Sequence, residues 1–175
     1  QIVILDKKGI GIAKIPHSVI DATSGDRRLG EPRSVAVRKN GDILVADNQC
    51  CYLDVLDFRG HSIEKIWPGD LVGQPKSKVQ TRCVAVDTAG NVYLGVSGCG
   101  TEILVLTPDL KLKTKMGVES TGESKGVTGV WVDKDGRVFA TYALGVCVRA
   151  YAPDGKQLLS FGAHDAGHEN FSLPS

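Results

Sequence analysis

Residues 32–66, PRSVAVRKNGDILVADNQCCYLDVLDFRGHSIEKI, decide the architecture of this chain. They divide into four short β-strands joined by tight turns. Strand a covers 34–37 and is followed by the turn Lys39-Asn40-Gly41-Asp42. Strand b covers 43–47, a loop covers 48–51 and strand c covers 52–57; the turn Phe58-Arg59-Gly60 then leads to strand d at 61–66. Runs of β-branched and apolar residues bounded by Gly, Asn and Asp are the signature of strands and hairpin turns. One four-stranded antiparallel meander cannot bury both of its faces, so a chain that repeats it must stack the copies.

The pattern does repeat. Strand a returns as SVAV (34–37), CVAV (83–86) and GVWV (129–132), and the equivalent Val35, Val84 and Val130 are 49 and 46 residues apart. Pro174 stands where Pro32 stands, 47 residues beyond Val127. A period in the high forties matches one four-stranded blade of a β-propeller. The a–b turns KNGD, TAGN and KDGR each place Gly where a tight hairpin requires positive φ. Strand b reads ILVAD, VYLGV and VFATY, nearly continuous runs that fit strands covered on both faces. Strand d is charged and alternating, as in LKLKTK (110–115) and SIEKI (62–66), which suits an exposed rim and discourages edge-to-edge pairing. Residues 1–15 read as the c and d strands of an earlier copy, and 16–31 as a polar link with turn signals at Ser24-Gly25-Asp26 and Gly30. No stretch has helical periodicity, and 18–23 makes at most one turn. The expected fold is all-β, with a half blade and link over 1–31, blades over 32–78 and 79–126, and a blade with its link over 127–175.

Bulk composition removes several classes. With 175 residues the chain can bury a real core, and no apolar run approaches the roughly 18 residues of a membrane span. A net charge of +1 means that attraction to nucleic acid would have to come from local clusters. The first residue is Gln1 and no leader pattern follows, so the expectation is a removed leader or a piece of a longer protein. Five cysteines are an odd number for a disulfide framework, and none are spaced as Cys-x-x-Cys.

Residues 42–60, DILVADNQCCYLDVLDFRG, resemble the core of the NHL repeat at matching length, and 137–155 matches that length too. The closing LLSFGAHDAGHENFSLPS (158–175) resembles the family's blade-to-blade link. The chain departs from the pattern at the b–c loop. The family's Asn-His-Arg is Cys50-Cys51-Tyr52 in one copy and Gly145-Val146-Cys147 in another, and its strand-b aspartate survives only as Asp47. The resemblance implies a divergent NHL-like propeller whose parent is six-bladed, a ring needing roughly 280 residues. Fourteen expected strands make three and a half blades, an incomplete arc. The remaining blades would come from a longer parent chain or a second chain, because an open arc exposes its end faces. Bacterial propellers of this kind are often exported, which is the only lean on location.

In propellers the d–a links and b–c loops share one face around the central opening, and ligands usually sit there. On this loop face the candidates are Asp47, Asn48, Cys50, Cys51, Cys99, His164 and His168. Cys50, Cys51 and Cys99 read either as a soft-metal or redox site spanning two blades or as partnerless loop thiols, and the second reading is preferred. His164 and His168 lie in a Gly-rich link where their spacing carries no helical meaning, while His17 and His61 are isolated in sequence. Cys83 and Cys147 read as small buried apolar residues, and Trp131 and Tyr93 as core. Asn and Asp at the turns read as turn formers. Arg27, Arg28, Arg33, Lys76, Lys78 and Arg82 gather in two blade links and read either as a basic rim or, with Asp21, Asp26, Glu31 and Asp70 interspersed, as a solvated mixed-charge surface, and the second reading is preferred. The leading functional expectation is a non-enzymatic binding scaffold presenting the loop face to a protein partner or other ligand, with no cofactor and no resident metal. The alternatives are a metal-dependent lyase or lactonase, with Asp47 and Asn48 its only well-placed donors here, and RNA binding by the basic rim.

Overall fold

The computed structural model describes residues 1–117, 126–143 and 147–162. The chain opens with β1 (Ile2–Leu5) and β2 (Gly11–Ile15), paired antiparallel as a two-stranded sheet. Next comes a small hairpin, β3 (Ser18–Ile20) and β4 (Arg27–Leu29). Three four-stranded antiparallel meanders follow, each in simple sequential order. The first holds β5 (Pro32–Val37), β6 (Ile43–Asp47), β7 (Leu53–Leu56) and β8 (Ser62–Ile66). The second holds β9 (Gln80–Val86), β10 (Val92–Ser97), β11 (Ile103–Leu106) and β12 (Leu112–Met116). The third holds β13 (Val127–Val132), β14 (Val138–Tyr142), β15 (Cys147–Tyr151) and β16 (Gln157–Phe161). Strand β9 packs beside both β5 and β13, so the innermost strands of successive sheets converge.

The sheets stack face to face. Leu44, Leu53 and Val55 of the first sheet pack against Val84, Leu94 and Leu104 of the second. Tyr93, Ile103 and Val105 on the second sheet's other face meet Val138, Ala140 and Tyr142 of the third. Ile2 and Ile15 of the β1–β2 pair cover Ile43, Val45 and Leu56. Each such side chain contributes about 1.5–3 kcal/mol when fully buried, so these seams dominate the stability. The rim strands β8 and β16 remain largely exposed, as their charge and edge position require. At the c–d turns Gly9, Gly60 and Gly155 take positive φ, and Leu110 (φ 60) does the same without being glycine. Asp6, Asp57 and Asp133 accept backbone N–H bonds inside their own turns, which is the turn-forming role read for them.

Four expectations are corrected. The described strands number sixteen rather than fourteen, because the polar link 16–31 carries the β3–β4 hairpin. Residues 18–20 are a strand and not a helical turn. The one described helix, α1 (Pro68–Val72), lies in the next blade link, started by Pro68 and stopped by Gly73 in the left-handed region. Trp131 is 60% exposed rather than core. It pairs with Phe139 at a ring separation of 5.6 Å on the third sheet's outer face. Register carries that apolar row across all four strands as Trp131, Phe139, Ala150 and Leu159. At the other end of the stack, Val35 and Val37 of β5 are exposed.

Candidate functional site

Two carboxylates stand where the strand pattern is otherwise apolar: Asp47 ends β6 and Asp54 lies inside β7, at 0% and 2% exposure. A buried carboxylate is tolerated only with a partner. The partner is His17, which leads into β3 and is 6% exposed. Its Nδ1 lies 3.0 Å from Asp47 Oδ2 and its Nε2 lies 3.2 Å from Asp54 Oδ2. Burial by itself would lower the His17 pKa. The hydrogen bonds and negative charge of the two aspartates outweigh that and raise it from 6.5 to about 9. At neutral pH His17 is therefore an imidazolium donating from both nitrogens. Burial likewise opposes ionisation of Asp47, but its bonds from His17 and from the Gln49 N–H hold its pKa below the usual carboxylate range. Asp54 Oδ1 accepts from Ser62 Oγ at 2.6 Å and has Lys65 Nζ at 3.8 Å.

This ion cluster anchors the hairpin. The Gly30 N–H donates to the His17 carbonyl at 3.1 Å, the Ile20 N–H donates to the Tyr52 hydroxyl at 2.8 Å, and the Asn48 N–H donates to the Glu31 carbonyl. Gly30 leaves room for the arrangement: a Cβ there would lie 2.5 Å from His17 Nδ1 and 2.6 Å from Asp47 Oδ2. The hairpin is thus fastened across the b–c loop, and the two enclose a cavity of about 220 Å³ on the loop face. Arg28 and Thr23 line it from the hairpin, Asn48, Gln49 and Cys51 from the b–c loop, Ser77 from the following link and Gln80 from the start of β9. Arg28 pairs with Asp21 in the same wall. What remains to face a ligand is a set of amide and hydroxyl groups, able to donate and accept hydrogen bonds without a free acid or base.

The structure brings Asn48, Cys50, Cys51 and Arg28 to this one cavity. Asp47 lies in the ion cluster beneath it. Cys50 is buried, its thiol lies 3.2 Å from the Tyr52 carbonyl, and burial pushes its pKa up to about 12. Burial also raises Cys51 and Cys99, so none of the three is a ready thiolate. Cys99 packs against the seam between the first two full blades and does not line the cavity. His164 and His168 lie outside the described residues. Of the basic residues, Arg28 and Lys76 are paired with Asp21 and Asp70, Lys78 holds Gln74, and Arg82 bridges Asn48, Ser97 and Gln80. Arg27 and Arg33 are exposed. Among the described residues no group of three or more His, Cys, Asp or Glu side chains is placed to hold a metal ion. No described helix is long and apolar enough to cross a membrane.

Sequence reasoning missed His17. Its partners lie 30 and 37 residues away, so nothing local marks it. The available signal was Asp54: a carboxylate inside an apolar inner strand demands a cation from elsewhere. A second buried polar cluster joins the last two blades. Tyr142 Oη donates to Glu102 Oε2 at 2.7 Å and lies 2.9 Å from Tyr151 Oη, while Arg149 approaches the same carboxylate oxygen at 3.4 Å.

Sequential four-stranded meanders stacked face to face, with their first strands innermost, define a β-propeller. Solved structures agree. The chain is similar to a protein of unknown function from Bacteroides caccae, with 18% identity over 86% of this chain and 56% of that one and a TM-score of 0.59. It is similar to virginiamycin B lyase from Staphylococcus aureus, with 14% identity over 87% of this chain and 47% of that one and a TM-score of 0.58. The dihydro-heme d1 dehydrogenase NirN matches at 16% identity over 90% of this chain and 41% of that one, with a TM-score of 0.59. At such identities the likeness is one of fold. The chain spans about half the length of the first structures it matches. No family model and no curated protein matches it.

Proposed function

We propose that this chain is the binding portion of an NHL-like propeller, six-bladed when closed, and that its loop face recognises a neutral polar ligand or a segment of a partner protein. The observation that carries this reading is the cavity between the latched hairpin and the b–c loop. Its walls offer Asn48, Gln49, Ser77, Gln80 and Thr23, while the nearby titratable groups are bound to one another: His17 to Asp47 and Asp54, Arg28 to Asp21. His17 lies outside the wall of this cavity, and because it donates from both nitrogens it has no lone pair for a metal or for a substrate proton, which favours recognition over catalysis here. The apolar row from Trp131 to Leu159, exposed at its two ends and joined by the exposed Phe161, is read as the seat of a further blade of the parent chain, since the internal seams are also apolar.

The test is titration of the full chain with labelled peptides and neutral oligosaccharides, in parallel with Thr23→Trp, which fills the cavity from an exposed position. At least one class should bind, and the variant should bind it at least tenfold more weakly. Equal binding by both proteins, binding of no class, or consumption of a probe by the wild type would refute the reading. Virginiamycin B lyase and NirN are enzymes on the same fold, so metal content is the discriminating measurement for a lyase or lactonase. One tightly held ion per chain, purified without chelator, would favour the enzyme. RNA binding by the basic rim would weaken steeply with salt and vanish on charge reversal of Arg27, Arg28 and Lys78.

A further inference from the structure

A second cavity, of about 160 Å³, lies on the opposite side of the hairpin, between it and the strands β7 and β8. Its lining differs in charge from that of the loop-face cavity. His17, Lys65 and Arg27 bring three cations, Ser18 and Ser62 bring hydroxyls, and Asp54 is the one carboxylate in the wall. Asp54 is already engaged by His17 Nε2, by Ser62 Oγ and by Lys65. The buried charge is therefore balanced without Arg27: Asp47 and Asp54 face His17 and Lys65. Arg27 stands over, with no carboxylate partner among the described residues. Lys65 donates to Ser62 Oγ at 2.6 Å and so has N–H groups to spare.

We propose that this cavity is a binding site for a compact oxyanion, the chemistry shared by carboxylate, sulfate and phosphate groups. Arg27 supplies a planar fork of donors at the mouth and Lys65 a point charge deeper in. An Arg fork matches two oxygens of such a group at once, and a partly enclosed site strengthens the attraction relative to open solvent. The volume corresponds to about five waters, enough for one oxyanion group with some of its hydration and too little for a whole nucleotide. Two other cavities among the described residues fit an anion less well. On the loop face Arg28 is neutralised by Asp21, and in the groove lined by Lys115 and Arg149 the second cation already faces Glu102.

The site is independent of the loop-face reading, and either can fail alone. Sodium acetate, sulfate and phosphate are titrated into the full chain by calorimetry at constant ionic strength, with Arg27→Gln and Arg33→Gln in parallel. Arg27 and Arg33 are both exposed, and only Arg27 lines the cavity. One saturable site is expected in the wild type, unchanged in Arg33→Gln and weakened at least tenfold in Arg27→Gln. Preference for acetate would identify a ligand carboxylate, and preference for sulfate or phosphate a tetrahedral group. No saturable binding, or equal affinity in all three proteins, overturns the proposal.

Discussion

Replacing His17 by alanine removes the one cation held between two buried aspartates. The folded pKa of about 9 against 6.5 in the unfolded chain corresponds to about 3 kcal/mol of stabilisation. The sign follows from the proton count. Between those two values the folded state holds a proton that the unfolded state has released, so stability falls as pH rises through that window. The contribution is full below pH 6.5, about 2 kcal/mol at pH 7.5 and nearly gone by pH 10. Asp47 works in the opposite direction: its folded pKa is lowered, so its contribution is present above 3.8 and is lost as pH falls through the folded value. The cluster is thus most stabilising between roughly pH 4 and 6.5. Deleting the imidazole also leaves Asp47 facing no cation, and breaking a buried pair in this way costs about 3–5 kcal/mol, a large share of a domain's total. Urea unfolding of wild type and His17→Ala at pH 6.0, 7.5 and 9.5 measures both effects. Wild-type stability should decline by about 2–3 kcal/mol across the series, and the variant should be weakest relative to wild type at pH 6.0. A variant as stable as wild type, or a wild type with no decline that depends on His17, would refute the reasoning.

Other substitutions test separate parts of the structure. Gly30→Ala should destabilise by about 2 kcal/mol or more although the backbone there suits alanine, because the new methyl group meets His17 and Asp47; urea midpoints check it. Leu110→Gly relieves about 1–2 kcal/mol of left-handed strain but empties a buried leucine position worth about 2–5 kcal/mol, so net destabilisation is expected on denaturation. Tyr142→Phe takes a donor from Glu102 and should cost about 1–3 kcal/mol in the same assay. If the outer face of the third blade seats a further blade, the pure chain should self-associate in sedimentation experiments and Trp131→Lys should reduce this. A stable wild-type monomer would count against that seat.

Much of this architecture was legible because propeller blades are built from local signals. Gly41, Gly60, Gly90, Gly136 and Gly155 mark turns that only positive φ can close, and the unbroken apolar runs of β6 and β10 mark strands buried on both sides. The β3–β4 hairpin was illegible for the converse reason. Its strands have three residues each, Arg27-Arg28-Leu29 is exposed throughout, and its place is fixed by His17 and Tyr52 reaching residues far along the chain. Asn48, Cys50 and Cys51, which the strand pattern assigns to the loop face, line one cavity together with Arg28 from the basic links. The charge balance around that cavity is not legible in the sequence, because which acids and bases cancel is decided by pairs that sequence separation hides. The apolar strand around Trp131 predicts a core position, but the residue lies on the face that no described element covers.

The state of His17 decides whether the cluster that holds the hairpin is a closed ion latch or a reactive group. Nitrogen NMR of the imidazole resolves it: both ring nitrogens should carry protons at pH 7.5, with a single titration midpoint near 9. A midpoint near 6.5 with one nitrogen unprotonated at pH 7.5 would free a lone pair beside the cavities and contradict the account.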